Sequence, residues 1–324
     1  MERNVGWRVF LAYDHSTNSA ISRRPAERIR AGKEESIFEG TLSIDVEEWF
    51  CAHNLSPPIL RADWEHCESR VEVSTLRILD MLDRHRARAT FFLLGWVMER
   101  VPDLAPEIAH RGHEVASHGY DHRKLTDMTP ESFAADLDRT LEIHARQLSA
   151  PVRGYRAPSF TLMASSLWAV PVLESRGFQY SSSVFPVRGH PVYGMTGVPL
   201  TPWRIGETLT EIPLTVARIA GQHVPCAGGA YFRLLPYRLT RALLHRVRRE
   251  GRMINMYMHP WEIDPGQPRQ SVSVTRRLRH YTNLRRTEER LERLLSDFRL
   301  TSIKELPCLH NAKSTSSGTT GIAK

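Results

Sequence analysis

With 324 residues, the chain is long enough to bury a sizeable core, as one large α/β domain or two small ones. Its apolar fraction of 41% and charged fraction of 25% are those of a soluble globular protein, and no apolar stretch has the length of a bilayer span. The net charge of +8 and pI near 9.6 invite acidic partners, but the arginine clusters at 241–252 and 276–293 carry glutamates at helical spacing and accompany no nucleic-acid module, so solvated helix faces and no nucleic-acid partner are expected.

Residues 1–38 are polar and lack periodicity, which predicts a disordered leader. The hydrophobic stretch at 9–13 is too short for a signal peptide, so a cytoplasmic protein without stable membrane insertion is expected. Cys51, Cys67, Cys226 and Cys308 have no CxxC spacing and are expected as reduced thiols. Residues 40–46 read as a strand that runs into the acidic cluster Asp45-Val46-Glu47-Glu48. Ser74 is expected to cap a helix whose apolar face carries Leu76, Leu79 and Leu82. The continuous apolar run at 89–95 predicts a strand buried on both faces.

A helix around 102–111 then leads to a short strand at 112–116, which delivers Ser117-His118-Gly119-Tyr120-Asp121-His122. Thr129-Pro130-Glu131 opens a further helix along Phe133, Leu137 and Leu141. Residues 152–160 read as strand plus loop, 165–176 as a helix stopped by Gly177, and 178–180 as the start of a strand. Residues 187–235 break the rhythm with Gly and Pro and are expected as an insertion. Helix 236–251, strand 253–258 and helix 283–298 resume it, and the tail at 307–324 is expected to be disordered. Alternating strands and helices imply parallel strands joined by crossovers, hence an α/β barrel or wound sheet forming one catalytic domain at 39–306. Chemistry in such folds gathers at the C-terminal ends of strands.

Several residues suited to one kind of chemistry follow separate predicted strands. Neutral imidazole is the commonest zinc ligand, which makes His118 and His122 candidate metal ligands in need of a third. Metal-assisted amide hydrolysis also needs a carboxylate to take the proton of a water and an acid to protonate the leaving amine. Asp45 and Glu47 follow the first strand, Arg156 lies in Arg153-Gly154-Tyr155-Arg156-Ala157-Pro158-Ser159-Phe160, and His259 follows the strand near the end.

Ser43-Ile44-Asp45-Val46-Glu47-Glu48-Trp49-Phe50, the paired-histidine segment, the Arg156 segment and Met258-His259-Pro260-Trp261-Glu262 together resemble the motifs of the polysaccharide deacetylase (NodB homology) superfamily. Residues 228–236 and 259–265 resemble, more narrowly, the branch found in exosortase-associated exopolysaccharide loci. The resemblance implies a distorted (β/α) barrel with a C-terminal extension, a divalent metal, zinc being the expected ion, and hydrolysis of N-acetyl groups on the amino sugars of a glycan. It also implies an association with exopolysaccharide synthesis machinery.

Carried over by position, Asp45 is the expected base, Glu47 (with Glu48 as the alternative), His118 and His122 the metal ligands, and Arg156 the residue that orients Asp45. The backbone N–H of Ser159 is the expected oxyanion donor and His259 the general acid. One departure stands out: Ser181 occupies a position where the superfamily carries an aspartate that tunes the histidine. The alternatives in function are a metal-assisted amidase acting on a small amide or cyclic ureide, and a catalytically degenerate glycan-binding scaffold.

Overall fold

The computed structural model describes residues 38–310, apart from 53–54, 56–58 and 191. The expected leader therefore lies outside the described residues save Phe38, as does the tail beyond His310. The first residues of that tail are not disordered: Pro307–His310 form a short helix, and Leu309 packs against a buried cluster that includes Ile303 and Leu306.

Strand β1 (Gly40–Val46) is the axis of the molecule. It pairs in parallel with β2 (Thr90–Leu93) on one side and with a late strand, Ile254–Met258, on the other. The side chains alternate between the two faces, as the twofold period of a strand requires. Leu42, Ile44 and Val46 join the core formed with helix α1 (Val71–Arg84) and a helix at Leu284–Asp297. The intervening residues turn to a polar interior, where Thr41 bonds Asn255 and Ser43 bonds the carbonyl of Met256.

Strands β3 (Glu114–Ser117), β4 (Gly154–Tyr155) and β5 (Tyr180–Ser181) extend the sheet in parallel beyond β2. The segment read as an insertion supplies the next two strands. Within it, β6 (Trp203–Arg204) pairs antiparallel with β7 (Thr210–Glu211), and β7 pairs parallel with β5. The same segment forms the hairpin β8 (Val216–Ile219) and β9 (Gln222–Pro225) outside the main sheet. The late strand β10 (Ile254–Met258) lies beside β1, and β11 (Leu300–Thr301) adds to the other edge of β1.

The two ends of the sheet meet with little ladder between them. Asn255 N–H donates to Thr215 Oγ1 at 2.7 Å, the Asn255 side chain donates to the carbonyls of Ile212 and Pro213, and a lone bridge joins Gly228 to Tyr257. The fold is thus a distorted (β/α) barrel, closed by side-chain bonds where a regular barrel would have a ladder.

Two local expectations change. The helix α1 begins at Val71, so Ser74 lies a turn inside it and is buried. Its N-terminus is served by the distant Glu48 carboxylate, which accepts from the N–H of Arg70 at 3.0 Å and of Val71 at 3.3 Å. Capping patterns read along the chain see only local partners. The apolar run at 89–95 also ends early: its last residue starts a helix, Gly95–Arg100. No helix among the described residues is long and apolar enough to cross a membrane.

Candidate active site

The site lies at the C-terminal ends of β1, β3, β4 and β10. Asp45 and Glu47 leave β1, both almost wholly buried. Beyond β3, Gly119 at φ +75 turns the chain, and the Asp136 carboxylate accepts the Tyr120 N–H at 3.0 Å to hold the turn. His122 adopts φ +61, an uncommon value for a residue with a side chain, and this brings its ring back over β1.

The three expected metal ligands converge. One ligand atom each from Glu47, His118 and His122 lies within 4.8 Å of the others. His118 Nδ1 bonds the carbonyl of Arg156 at 2.8 Å, which fixes the tautomer and leaves Nε2 free to ligate. Glu47 Oε2 stands 2.8 Å from His122 Nε2, yet without the alignment of a hydrogen bond, so it remains a buried carboxylate oxygen with no donor among the described residues. A buried anion in that condition suits a cation. The other oxygen, Oε1, accepts the Trp261 indole N–H at 3.2 Å. Burial opposes ionisation of Glu47, but His122, His259 and His118 outweigh it and hold the carboxyl well below the usual range. Burial likewise pushes His118 down to about 4, in favour of the neutral ligating form.

Arg156 sits in the polar interior with no exposed surface. Its Nη1 donates to Asp45 Oδ1 at 2.6 Å and to Ser43 at 2.8 Å, while Nε and Nη2 reach the carbonyl and hydroxyl of Ser182. The guanidinium also stacks over the Phe92 ring at 4.2 Å. Asp45 Oδ2 is left facing the cavity, 3.9 Å from His259 Nε2.

Ser159 lines the same cavity, which has a volume of about 120 Å³, and it lies in a turn where both Ser159 and Phe160 have positive φ, +54 and +56. A larger cavity of about 680 Å³ opens at the opposite, N-terminal ends of β3 to β5 and contains none of these residues.

His259 follows β10. Burial disfavours its charge, but Glu47, a hydrogen bond to Glu262 and Asp45 lift its pKa to about 9. Ser181 does not take the place of an aspartate here, because its hydroxyl donates to Ser183 at 2.8 Å. Sequence reasoning missed Glu262, whose Oε1 is 2.7 Å from His259 Nδ1, and Arg233, which donates to Glu262 Oε2 at 2.6 Å. The signal was the spacing within His259-Pro260-Trp261-Glu262, a carboxylate three residues after the imidazole. It also missed the wall formed by His190 and Tyr193, whose rings stack at 3.6 Å.

Residues 67–177 match the polysaccharide deacetylase family, and residues 182–307 match a domain of unknown function (DUF3473). The first match holds His118, His122, Arg156 and Ser159, and the second holds His259 and Glu262, while Asp45 and Glu47 precede both. A peptidoglycan-N-acetylglucosamine deacetylase of Bacillus cereus is 33% identical over 96 residues, 29% of this chain and 35% of its own length. A chitooligosaccharide deacetylase of Rhizobium leguminosarum bv. trifolii is 41% identical over 68 residues, 21% of this chain and 32% of its own length. The chain thus spans about a third of the length of these curated relatives.

In fold, it is similar to a Mycobacterium smegmatis crystal structure assigned to the polysaccharide deacetylases, with a TM-score of 0.56 and 18% identity over 93% of this chain and 98% of that one. The ordered motifs and the match at residues 67–177 thus agree on a polysaccharide deacetylase domain within this chain, and its fold is similar to that of the solved structure.

Proposed function

We propose that this protein is a metal-dependent hydrolase that removes N-acetyl groups from the amino sugars of a glycan. The observation that carries the reading is the convergence of Glu47, His118 and His122 on one point, with Asp45 and His259 beside it. Relatives that act on N-acetylated peptidoglycan and chitooligosaccharide supply the substrate class. Residues 39–306 are read as one catalytic unit, because β1 and β10 pair side by side and the site draws on both. The resemblance of residues 228–236 and 259–265 to exopolysaccharide-locus proteins extends the proposal to an association with exopolysaccharide synthesis machinery.

In this reading Glu47, His118 and His122 hold the ion, and zinc suits one carboxylate with two imidazoles. Such an ion, when bound, polarises the amide carbonyl and acidifies a water. Asp45 is the base: Arg156 occupies Oδ1 and keeps the carboxylate oriented, so Oδ2 receives the water's proton. The Ser159 N–H donates to the oxygen on which negative charge develops. His259 Nε2 gives a proton to the amine nitrogen as its bond to the acetyl carbon breaks. The products are acetate and a free amino sugar.

The test is acetate release from N-acetylated oligosaccharides by zinc-loaded protein, with Asp45→Asn as control. The expected outcome is release by the wild type, and a loss of about 10²–10⁴-fold in Asp45→Asn with its zinc retained. No acetate from any such substrate would sink the proposal. Ammonia released from a small amide instead would move the assignment to an amidase.

A further inference from the structure

We infer that Glu262, pinned by Arg233, is the positioning residue that sets the tautomer and orientation of His259. This rests on the deacetylase reading for the reaction and deepens it, since it names what steers the acid in a chain that carries serine at 181. The same Glu262 oxygen meets His259 twice, with Nδ1 at 2.7 Å and the backbone N–H at 3.1 Å. Ring and backbone are therefore fixed against one point, and Nε2 is the nitrogen left to face Asp45 and Glu47. A neutral or charged imidazole with Nδ1–H on a carboxylate presents Nε2 to the reacting atoms, the arrangement that general acid work by histidine needs.

Glu262 cannot swing away, because its second oxygen accepts Arg233 Nε at 2.6 Å. Arg233 is itself held by the carbonyls of Arg279, His280 and Thr282 at 2.7, 2.8 and 3.0 Å. Both charged side chains have almost no exposed surface. A pair so deeply buried has lost the hydration of both charges, and such pairs are weak contributors to stability compared with apolar residues of the same volume. Its return here is geometric. A stack completes the frame: the His259 and Trp261 rings lie 5.0 Å apart at 21°, and Trp261 and His280 lie 4.4 Å apart at 14°.

In the proton step, His259 Nε2–H passes to the amine nitrogen as the C–N bond breaks. The proton on Nδ1 stays on the imidazole, so Glu262 gains none. Its part is to hold, and a glutamine or a shorter acid should fail to different degrees.

The experiment compares wild type, Glu262→Gln and Glu262→Asp, all zinc-loaded, by acetate kinetics and by ¹⁵N NMR of the His259 ring. Glu262→Gln is expected to lower kcat about 10²-fold with KM and zinc content within about twofold of wild type, and Glu262→Asp to recover at least about tenfold of the loss. With the ring neutral, above its pKa, the single N–H of His259 is expected on Nδ1 in wild type and on Nε2 in Glu262→Gln. If Glu262→Gln strands the Arg233 charge and does not fold, the neutral pair Glu262→Gln/Arg233→Met carries the same comparison.

A kcat within about threefold of wild type, or an unchanged His259 tautomer, would overturn the inference. The NMR readout needs no substrate. A protein that releases no acetate therefore refutes the deacetylase reading alone, and the tautomer still decides the role of Glu262.

Discussion

Glu47 and Glu48 are neighbours in the chain with carboxylates committed to different tasks. Glu47 Oε2 lies 2.8 Å from His122 Nε2, whereas Glu48 accepts from the N–H groups of Arg70 and Val71 and from the Ser69 hydroxyl. Just beyond the end of β1 their side chains part, one toward the cavity and one toward the first turn of α1. Of the two glutamates left open by the motif, Glu47 is the one that converges with His118 and His122.

Glu48→Ala should therefore cost about 1–2 kcal/mol of stability, the usual worth of a helix N-cap, without changing zinc stoichiometry. Glu47→Ala should do the reverse and lose the metal while folding. Urea denaturation together with metal analysis of the dialysed proteins checks both. Zinc lost from Glu48→Ala and kept by Glu47→Ala would reverse the assignment.

Metal removal should show itself in stability as well as activity. An ion bound to the folded chain alone stabilises it by mass action, about 4 kcal/mol when free ion exceeds Kd a thousandfold. Chelated protein should melt at a lower temperature, and added zinc should restore both melting temperature and acetate release. His118→Ala should melt at the same temperature with and without zinc. A zinc-dependent rise persisting in His118→Ala would mean that the ion binds elsewhere.

Much of this site was legible in the chain, and the reasons differ from part to part. Asp45, Glu47, His118, His122, Arg156 and His259 could be picked out because each sits in a short motif at or just past the end of a strand, where local order along the chain carries the information. The convergence of Glu47 with His118 and His122 follows from parallel neighbours β1, β2 and β3. Glu262 was equally close in sequence but went unassigned, since a carboxylate three residues from a histidine has many structural uses.

Long-range partnerships were out of reach. The cap of α1 by Glu48 and the anchoring of Arg233 on the carbonyls of 279–282 join residues tens of positions apart. The Gly- and Pro-rich stretch resisted placement for a related reason: β7 is only two residues long, too short for any periodicity, yet it continues the main sheet. The arginine clusters behaved as helix surfaces do, with Arg241 on Asp297, Arg252 on Glu250 and Arg290 on the carbonyls that end the helix at Gly229–Leu234.

Acid should destabilise the fold through His144, on the helix at Pro130–Gln147. The ring is buried, neither of its nitrogens has a hydrogen-bond partner among the described residues, and burial pushes its pKa from 6.5 down to about 4. The unfolded chain thus binds the proton first. The stability is fully present above pH 6.5 and is lost as pH falls from there through 4, by about 3 kcal/mol at the limit. His144→Leu should flatten the dependence of the urea midpoint over that window. Burial displaces His113 and His280 the same way, so some slope should remain. An unchanged slope in His144→Leu would show that the ring is hydrated in solution.

The Asp45–Arg156 pair should show strong energetic coupling. Both side chains are buried, they meet at 2.6 Å, and Arg156 spends its other donors on Ser43 and Ser182. Removing one partner of a buried pair leaves the other charge uncompensated, which costs about 3–5 kcal/mol, whereas removing both often costs far less. Arg156→Met should be strongly destabilising, and Asp45→Asn/Arg156→Met should be more stable than the sum of the single changes implies, by roughly 2 kcal/mol or more. Arg156→Lys should retain the charge but lose the fork that reaches Asp45 and Ser182 together, so it should keep zinc and lose turnover. A double-mutant cycle by urea denaturation, with acetate release measured on Arg156→Lys, checks both halves. Additive single changes, or full turnover in Arg156→Lys, would mean that Asp45 holds its orientation without the arginine.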